Sequence, residues 1–325
     1  MFCLPHLKRF VVALVLGCTL SHAQLAVATY PEKSLRLIAP FAPGGGTDQM
    51  SRALGAGLTK VLGQTVVIEN KPGAGTVIGM DLVARSAPDG YTLVLATFAH
   101  AVNSTLQSKL PYDSEHAFTP VALIARGPNV LVVRAESPFQ SVKEIVAAAK
   151  AQPSKLTYAS QGNGTSAHLA GEMLQNLGNI ELTHIPYRGA SLALTDLLGG
   201  QVDLFIGTAA GVSPLILSGK LRAVAVTSPM PSAAFEGIAT VAATLPGYAV
   251  ESWYGLYAPA GTPASVIATL NAAVRQTVKN PDFIQKIENE GLTLSVGQPS
   301  ELEQYVATEK MRWKKVILEN KIQVQ

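Results

Sequence analysis

Short apolar runs alternate along this chain with longer stretches in which apolar positions recur every three or four residues. Leu35–Ala39, Thr65–Glu69, Thr92–Ala96, Val121–Ala125, Val130–Val133, Leu156–Ala159, Leu182–Pro186, Asp203–Ile206 and Ala223–Val226 read as buried strands. Between them, Asp48–Leu62, Val77–Arg85, Val142–Ala151, Ser166–Leu177 and Ala190–Leu198 carry helical spacing. After Gly261-Thr-Pro263 the chain reads as helix to its end, over Ala264–Lys279, Asp282–Glu290 and Glu301–Leu318. Strands alternating with helices predict parallel sheets covered by helices. Extended stretches around Arg126-Gly-Pro128 and Ser252–Tyr257 suggest two crossings between lobes. Residues 24–127 with 253–325 then form one discontinuous lobe, and 128–252 form an inserted second lobe.

Two strand–helix junctions are rich in glycine. Pro43-Gly-Gly-Gly-Thr-Asp48 follows the first strand, and Ser160-Gln-Gly-Asn-Gly-Thr-Ser166 follows a later one. Glycine lets backbone amides approach a ligand, and a helix start leaves N–H groups unpaired, so each junction attracts a small anion. Two such turns in one chain suggest a ligand held between two lobes.

The first residues read as an export signal. Lys8 and Arg9 precede the apolar run Phe10–Leu16, which is too short to span a membrane. Ser21-His-Ala23 fits cleavage, with Ala26-Val-Ala28 as a second candidate and Val15-Leu-Gly-Cys18 as a poor lipobox that would instead make a lipoprotein through Cys18. Both cysteines, Cys3 and Cys18, lie in this segment, so the mature chain is expected to hold no disulfide and no thiol nucleophile. Without Lys8 and Arg9, 23 basic groups face 22 acidic ones. That balance gives no footprint for nucleic acid or for an anionic membrane.

Seven motifs in order identify a resemblance: Pro43–Asp48, Glu69-Asn-Lys-Pro-Gly-Ala-Gly75, Pro88-Asp-Gly-Tyr-Thr92, Gly162–His168, Pro186-Tyr-Arg-Gly189, Asp196-Leu-Leu-Gly-Gly-Gln-Val-Asp203 and Ala258-Pro-Ala-Gly-Thr-Pro263. Together they resemble the substrate-binding proteins of tripartite tricarboxylate transporters, the Bug receptors, over residues 30 to 318. The resemblance implies an α/β, two-lobed periplasmic binding protein of type II-like design, with two doubly wound sheets and a ligand cleft between them. It implies a small carboxylate ligand (a di- or tricarboxylate, an acidic amino acid or an aromatic acid), delivered to a tripartite tricarboxylate-type membrane permease. A cofactor-free, metal-free monomer in the periplasm is expected. A partner that presents its ligand to a periplasmic signalling receptor would share the same cleft. The chain departs from the family pattern over Ser228–Thr244, where relatives carry Arg and a Pro-Thr pair before an acidic residue.

On this reading Phe41, Gly45, Gly46 and Thr47 of the first turn meet ligand, as do Ser160, Gly162, Gly164, Thr165 and Ser166 of the second. Asp48 either caps its helix or pairs with an ammonium on a zwitterionic ligand. His168, in the first turn of its helix, either packs or touches ligand. Tyr187 at a strand end offers an aromatic wall with a polar tip, while Arg188 beside it clamps a carboxylate or sits solvated on the rim. Thr97 and Thr208 follow strands at the edge where α/β proteins bind ligands.

A hydrolase acting on a small acid would need a nucleophile and a base. Tyr158-Ala-Ser-Gln-Gly162 lacks the first glycine of a nucleophile elbow, and the sequence shows no base beside Ser160. His100, His116, His168 and His184 have no metal-ligand spacing. An enzyme is not expected.

Overall fold

The computed structural model describes residues 30–289 and 291–322; the expected export signal lies outside them. Among the described residues no helix is long and apolar enough to cross a membrane. The strands are β1 (Leu35–Ala39), β2 (Val66–Asn70), β3 (Thr92–Thr97), β4 (Phe118–Arg134), β5 (Thr157–Ser160), β6 (Thr183–Pro186), β7 (Leu204–Thr208), β8 (Leu221–Val226), β9 (Glu251–Pro259) and β10 (Thr293–Leu294). The helices are α1 (Gly46–Leu62), α2 (Val77–Ala84), α3 (Ala99–Leu106), α4 (Val142–Ala151), α5 (Ser166–Gly178), α6 (Ala190–Leu198), α7 (Ala209–Leu217), α8 (Ala264–Thr277), α9 (Pro281–Asn289) and α10 (Pro299–Glu319).

The strands run in the order β2-β1-β3-β9-β4-β7-β5-β6, with β8 and β10 also paired to β4. The α/β class read from the sequence is the one observed. Parallel pairing holds for β1 with β2 and β3, and for β5 with β6 and β7. The sheets are nevertheless mixed. β9 runs antiparallel to β3 and β4, and β4 runs antiparallel to β7 and β8. The reason is the long strand β4, read from the sequence as two. Its first part, up to Pro128, pairs with β9. From Asn129 onward it pairs with β7 and β8. One strand therefore serves both half-sheets. Gly127 is required there, because a Cβ would come within 2.8 Å of the Gly291 carbonyl oxygen.

The crossing is locked by polar groups. Thr227, wholly buried, accepts from the Asn129 N–H at 2.8 Å, and its hydroxyl lies 3.0 Å from the Asn129 carbonyl and 2.6 Å from that of Val250. The crossing strand β4, the end of β8 and the chain that enters β9 are thus held at one hydroxyl. The apolar core is continuous nearby: Trp253 and Trp313 are fully buried, and Phe98 meets Trp313 edge-on at 4.9 Å. The Ser228–Thr244 segment, where the chain departs from the family pattern, still buries Phe235 and Val241 and pairs Thr240 with Val226.

Candidate ligand-binding cleft

The chain leaves β1 through Phe41 and enters α1 at Gly46. Gly44 sits at φ +87°, a left-handed conformation that glycine adopts without strain. Asp48 is neither the cap nor a free carboxylate. Gly45 holds the cap position, and Asp48, buried, accepts from the Gly44 N–H (3.0 Å), from Arg52 (3.0 Å) and from the Asn70 side chain (2.9 Å). Burial alone would raise its pKa, but these donors outweigh it and hold the carboxyl below its ordinary range. Asp48 therefore shapes the turn with its charge already matched.

The first turn lies directly against the opposite half. The Ala42 N–H donates to the Arg188 carbonyl at 3.3 Å, and Ser191 Oγ donates to the Pro43 carbonyl at 3.2 Å. A Cβ on Gly45 would stand 3.5 Å from that of Ala190, and one on Gly46 only 2.6 Å from Thr208 Oγ1. At Gly46 no side chain fits against the far lobe, whereas at Gly45 a Cβ would make only ordinary contact with Ala190. The cleft is closed.

The second turn is stiffened from behind. Thr165 caps α5, accepting from the His168 N–H at 3.3 Å and donating to the Gly162 carbonyl at 2.6 Å. Ser166 Oγ donates to Asn129 Oδ1 at 3.0 Å, which ties the turn to the crossing strand. His168 Nδ1 accepts from the Gly164 N–H at 3.3 Å, and its ring stacks on His184 at 4.5 Å. His184 in turn stacks on Tyr158 at 4.6 Å. Desolvation lowers the pKa of His168 to about 4; desolvation, with the neighbouring imidazole adding to it, lowers that of His184 to about 3. Both rings are neutral near pH 7.

One expectation is corrected here. A base does stand beside Ser160: His184 Nε2 lies 2.7 Å from its Oγ. β6 pairs with β5 so that His184 is opposite Tyr158, which puts it diagonally across from Ser160 on one face of the sheet. A pairing between strands is invisible to a search for spacing along the chain. Ser160 is wholly buried, however, and also accepts from the Gly162 N–H at 3.1 Å. The pair holds the turn, and its hydroxyl is not presented to the cleft.

Two spaces lie between the halves. An open cavity of about 700 Å³ is bounded by Phe41, Gly73–Thr76, Thr105–Lys109, Gln161–Asn163 and Pro186–Arg188. Deeper in, Phe41, Gly45, Gly46, Thr47, Gln161, Ala190 and Thr208 enclose about 10 Å³, room for roughly one water. Of the expected site residues, Phe41, Gly45, Gly46, Thr47 and Thr208 gather at this inner space, and Phe41, Gly162 and Tyr187 at the outer one. The Tyr187 hydroxyl donates to Asp196 at 2.6 Å, which fixes its ring at the mouth. Ser160, Thr165, Ser166 and His168 stand behind the second turn. Gly164 faces Asn103, whose Oδ1 would be 2.6 Å from a Cβ there. Thr97 ends β3 opposite Tyr254 and lines neither space. Arg188 is exposed on the rim.

Gln161 was missed by sequence reasoning. It borders both spaces, and its buried Oε1 has no partner. Its flanks, Ser160 and Gly162, were the only signal. The wall formed by Gly73–Thr76 was also missed, although Ala74 (φ +48°) and Thr76 (φ +81°) occupy left-handed backbone that costs these residues energy. No group of histidine, cysteine, aspartate or glutamate side chains among the described residues could hold a metal ion.

A family model described as the tripartite tricarboxylate transporter family receptor matches residues 50–322. Three solved structures superpose closely. The periplasmic binding protein BugD is 32% identical, with 91% of this chain and 100% of that one covered, at a TM-score of 0.87. A Rhodopseudomonas palustris protein solved with adipate is 33% identical, with 90% and 99% covered, at 0.88. MatC from the same species, with bound malate, is 32% identical, with 89% and 100% covered, at 0.85.

Proposed function

We propose, because the chain belongs to the tripartite tricarboxylate transporter receptor family, that it is a periplasmic solute receptor for a small dicarboxylate, which it carries to a tripartite tricarboxylate-type permease. One observation carries the reading. The start of α1 (Gly45, Gly46, Thr47) closes on Gln161 and Thr208 around a small space that shares Phe41 and Gln161 with the larger cavity. Amides at a helix start and neutral hydroxyls suit a carboxylate held partly through water. Relatives solved with adipate and malate support that ligand class. Lys109 and Arg188 line the outer cavity, where a second carboxylate would find positive charge. The export signal expected before Ala23 agrees with a periplasmic location. The lobes of this reading are residues 24–127 with 253–325 and residues 128–252, acting as a monomer without cofactor. Ser160, Thr165, Ser166 and His168 then act by positioning the second turn.

Titrating malate, adipate, citrate, glutamate and benzoate into the mature protein under thermal denaturation tests the proposal. At least one dicarboxylate should raise the midpoint in a concentration-dependent way. Stabilisation by sugars alone would overturn it. Ligand should be recovered unchanged after long incubation; turnover abolished by Ser160→Ala would replace the receptor with an enzyme using the Ser160–His184 pair.

A further inference from the structure

Apart from the cleft, α1 packs against α8 in the first lobe, and with the start of α9 they border a groove of about 550 Å³. Gly57 lets the helices come this close, since a Cβ there would collide with the Thr277 methyl group. Ala53, Val61 and Phe283 give the groove an apolar floor, and Lys60, Lys279 and Lys286 stand around it. All three lysines are exposed, and none forms an ion pair among the described residues. Thr277 is 2% exposed, lines the groove, and has a buried Oγ1 without a hydrogen-bond partner. A buried hydroxyl with no partner is destabilising, and a ligand acceptor seated in the groove would supply the missing bond. Asp282 is the acidic residue on the rim, so three cationic side chains face one anionic side chain.

We infer that this groove is a second ligand site, which takes a small organic carboxylate with a compact apolar body. The body lies on Ala53, Val61 and Phe283, and the carboxylate meets the lysines and the Thr277 hydroxyl. The volume is in the range of small-molecule sites, and mixed apolar and cationic lining favours an amphiphilic acid over a bare inorganic anion. The site shares no residue with the cleft, so it does not depend on the receptor reading.

Benzoate is the probe. Acetylation by acetic anhydride, read by mass spectrometry on the mature wild-type protein, reports each lysine separately. Benzoate should slow modification of Lys60, Lys279 and Lys286 at least three-fold, while Lys150 and Lys220, exposed elsewhere, keep their rates. Inorganic phosphate at equal ionic strength should protect them less. The Lys60→Ala/Lys286→Ala double variant, whose substitutions are on the surface, should bind benzoate at the groove at least ten-fold more weakly by calorimetry, and so should Thr277→Val. Equal rates at all five lysines with and without benzoate would overturn the inference. Protection by phosphate as strong as by benzoate would also overturn it, reducing the groove to a patch of charge.

Discussion

Single atoms at the two turns decide whether the cleft works. A methyl group on Gly46 would meet Thr208 Oγ1 at 2.6 Å and Ala210 Cβ at 3.1 Å, contacts that a closed cleft cannot absorb without moving a lobe. Gly46→Ala should leave the ligand-free fold within about 1–3 kcal/mol of wild type and weaken dicarboxylate binding at least ten-fold by calorimetry. Unchanged affinity would show that ligand does not depend on this closure. The histidines behind the second turn give a pH signature. His168 and His184 have folded pKa values of about 4 and about 3, below the ordinary value of 6.5. The unfolded chain therefore takes up their protons first as pH falls. Stability is full above pH 6.5, declines between 6.5 and about 3, and levels off below that. His100, buried and also lowered to about 3, adds a decline of the same sign. His184→Gln should keep a bond to Ser160 while removing one of these protons. Urea midpoints at pH 7.5, 5.5 and 4.5 should then fall less steeply for the variant, and parallel falls would refute the assignment.

The crossing strands β4 and β9 join the two halves. Thr227 joins β4 and the segment before β9 through one buried hydroxyl. Thr227→Val keeps the shape but leaves the Asn129 N–H without its acceptor, so denaturant unfolding should show a loss of about 1–3 kcal/mol. Thr165→Ala removes the α5 cap and should cost about 1 kcal/mol by the same measurement. The elements were legible where pattern and boundary chemistry agreed. α4 and α6 lie where the periodicity places them, and β1 begins and ends at the expected residues. α7 was not legible, because Gly211 and Pro214 within it argue against a helix and nearly all its residues are apolar. α3 was too short and too mixed to show a face. β4 was split in two by Gly127-Pro128, residues that usually end strands, whereas here Pro128 still pairs opposite Glu251. Half the candidate site follows the same logic. Glycines betray a close approach along the chain, so the first turn was found. Gln161 and the Ser160–His184 pair arise from strand pairing and lobe closure, which local pattern does not encode.

Across the whole molecule, the closed arrangement rests on little that is local to the cleft. Two hydrogen bonds, Ala42 to Arg188 and Ser191 to Pro43, join the first turn to the far half, each at 3.2 Å or longer. Bonds of this kind contribute roughly 0.5–1.5 kcal/mol each when water competes for the same groups. Among the described residues no side chain or backbone donor across the cleft reaches Gln161 Oε1, so it adds nothing to closure. Closure held by so little should let the ligand-free protein populate open and closed forms together, and a ligand needs only a few kcal/mol of preference for the closed form to shift the balance. The continuous core under Trp253 and Trp313 and the lock at Thr227 keep the hinge in one place while this happens. Small-angle scattering should therefore show a radius of gyration that falls when a binding dicarboxylate is added. Ser191→Ala should raise the ligand-free radius slightly and leave the liganded radius unchanged, because ligand supplies the closing energy that the lost bond supplied. A radius that does not respond to ligand in either protein would mean that the lobes are fixed and that ligand enters a preformed cleft.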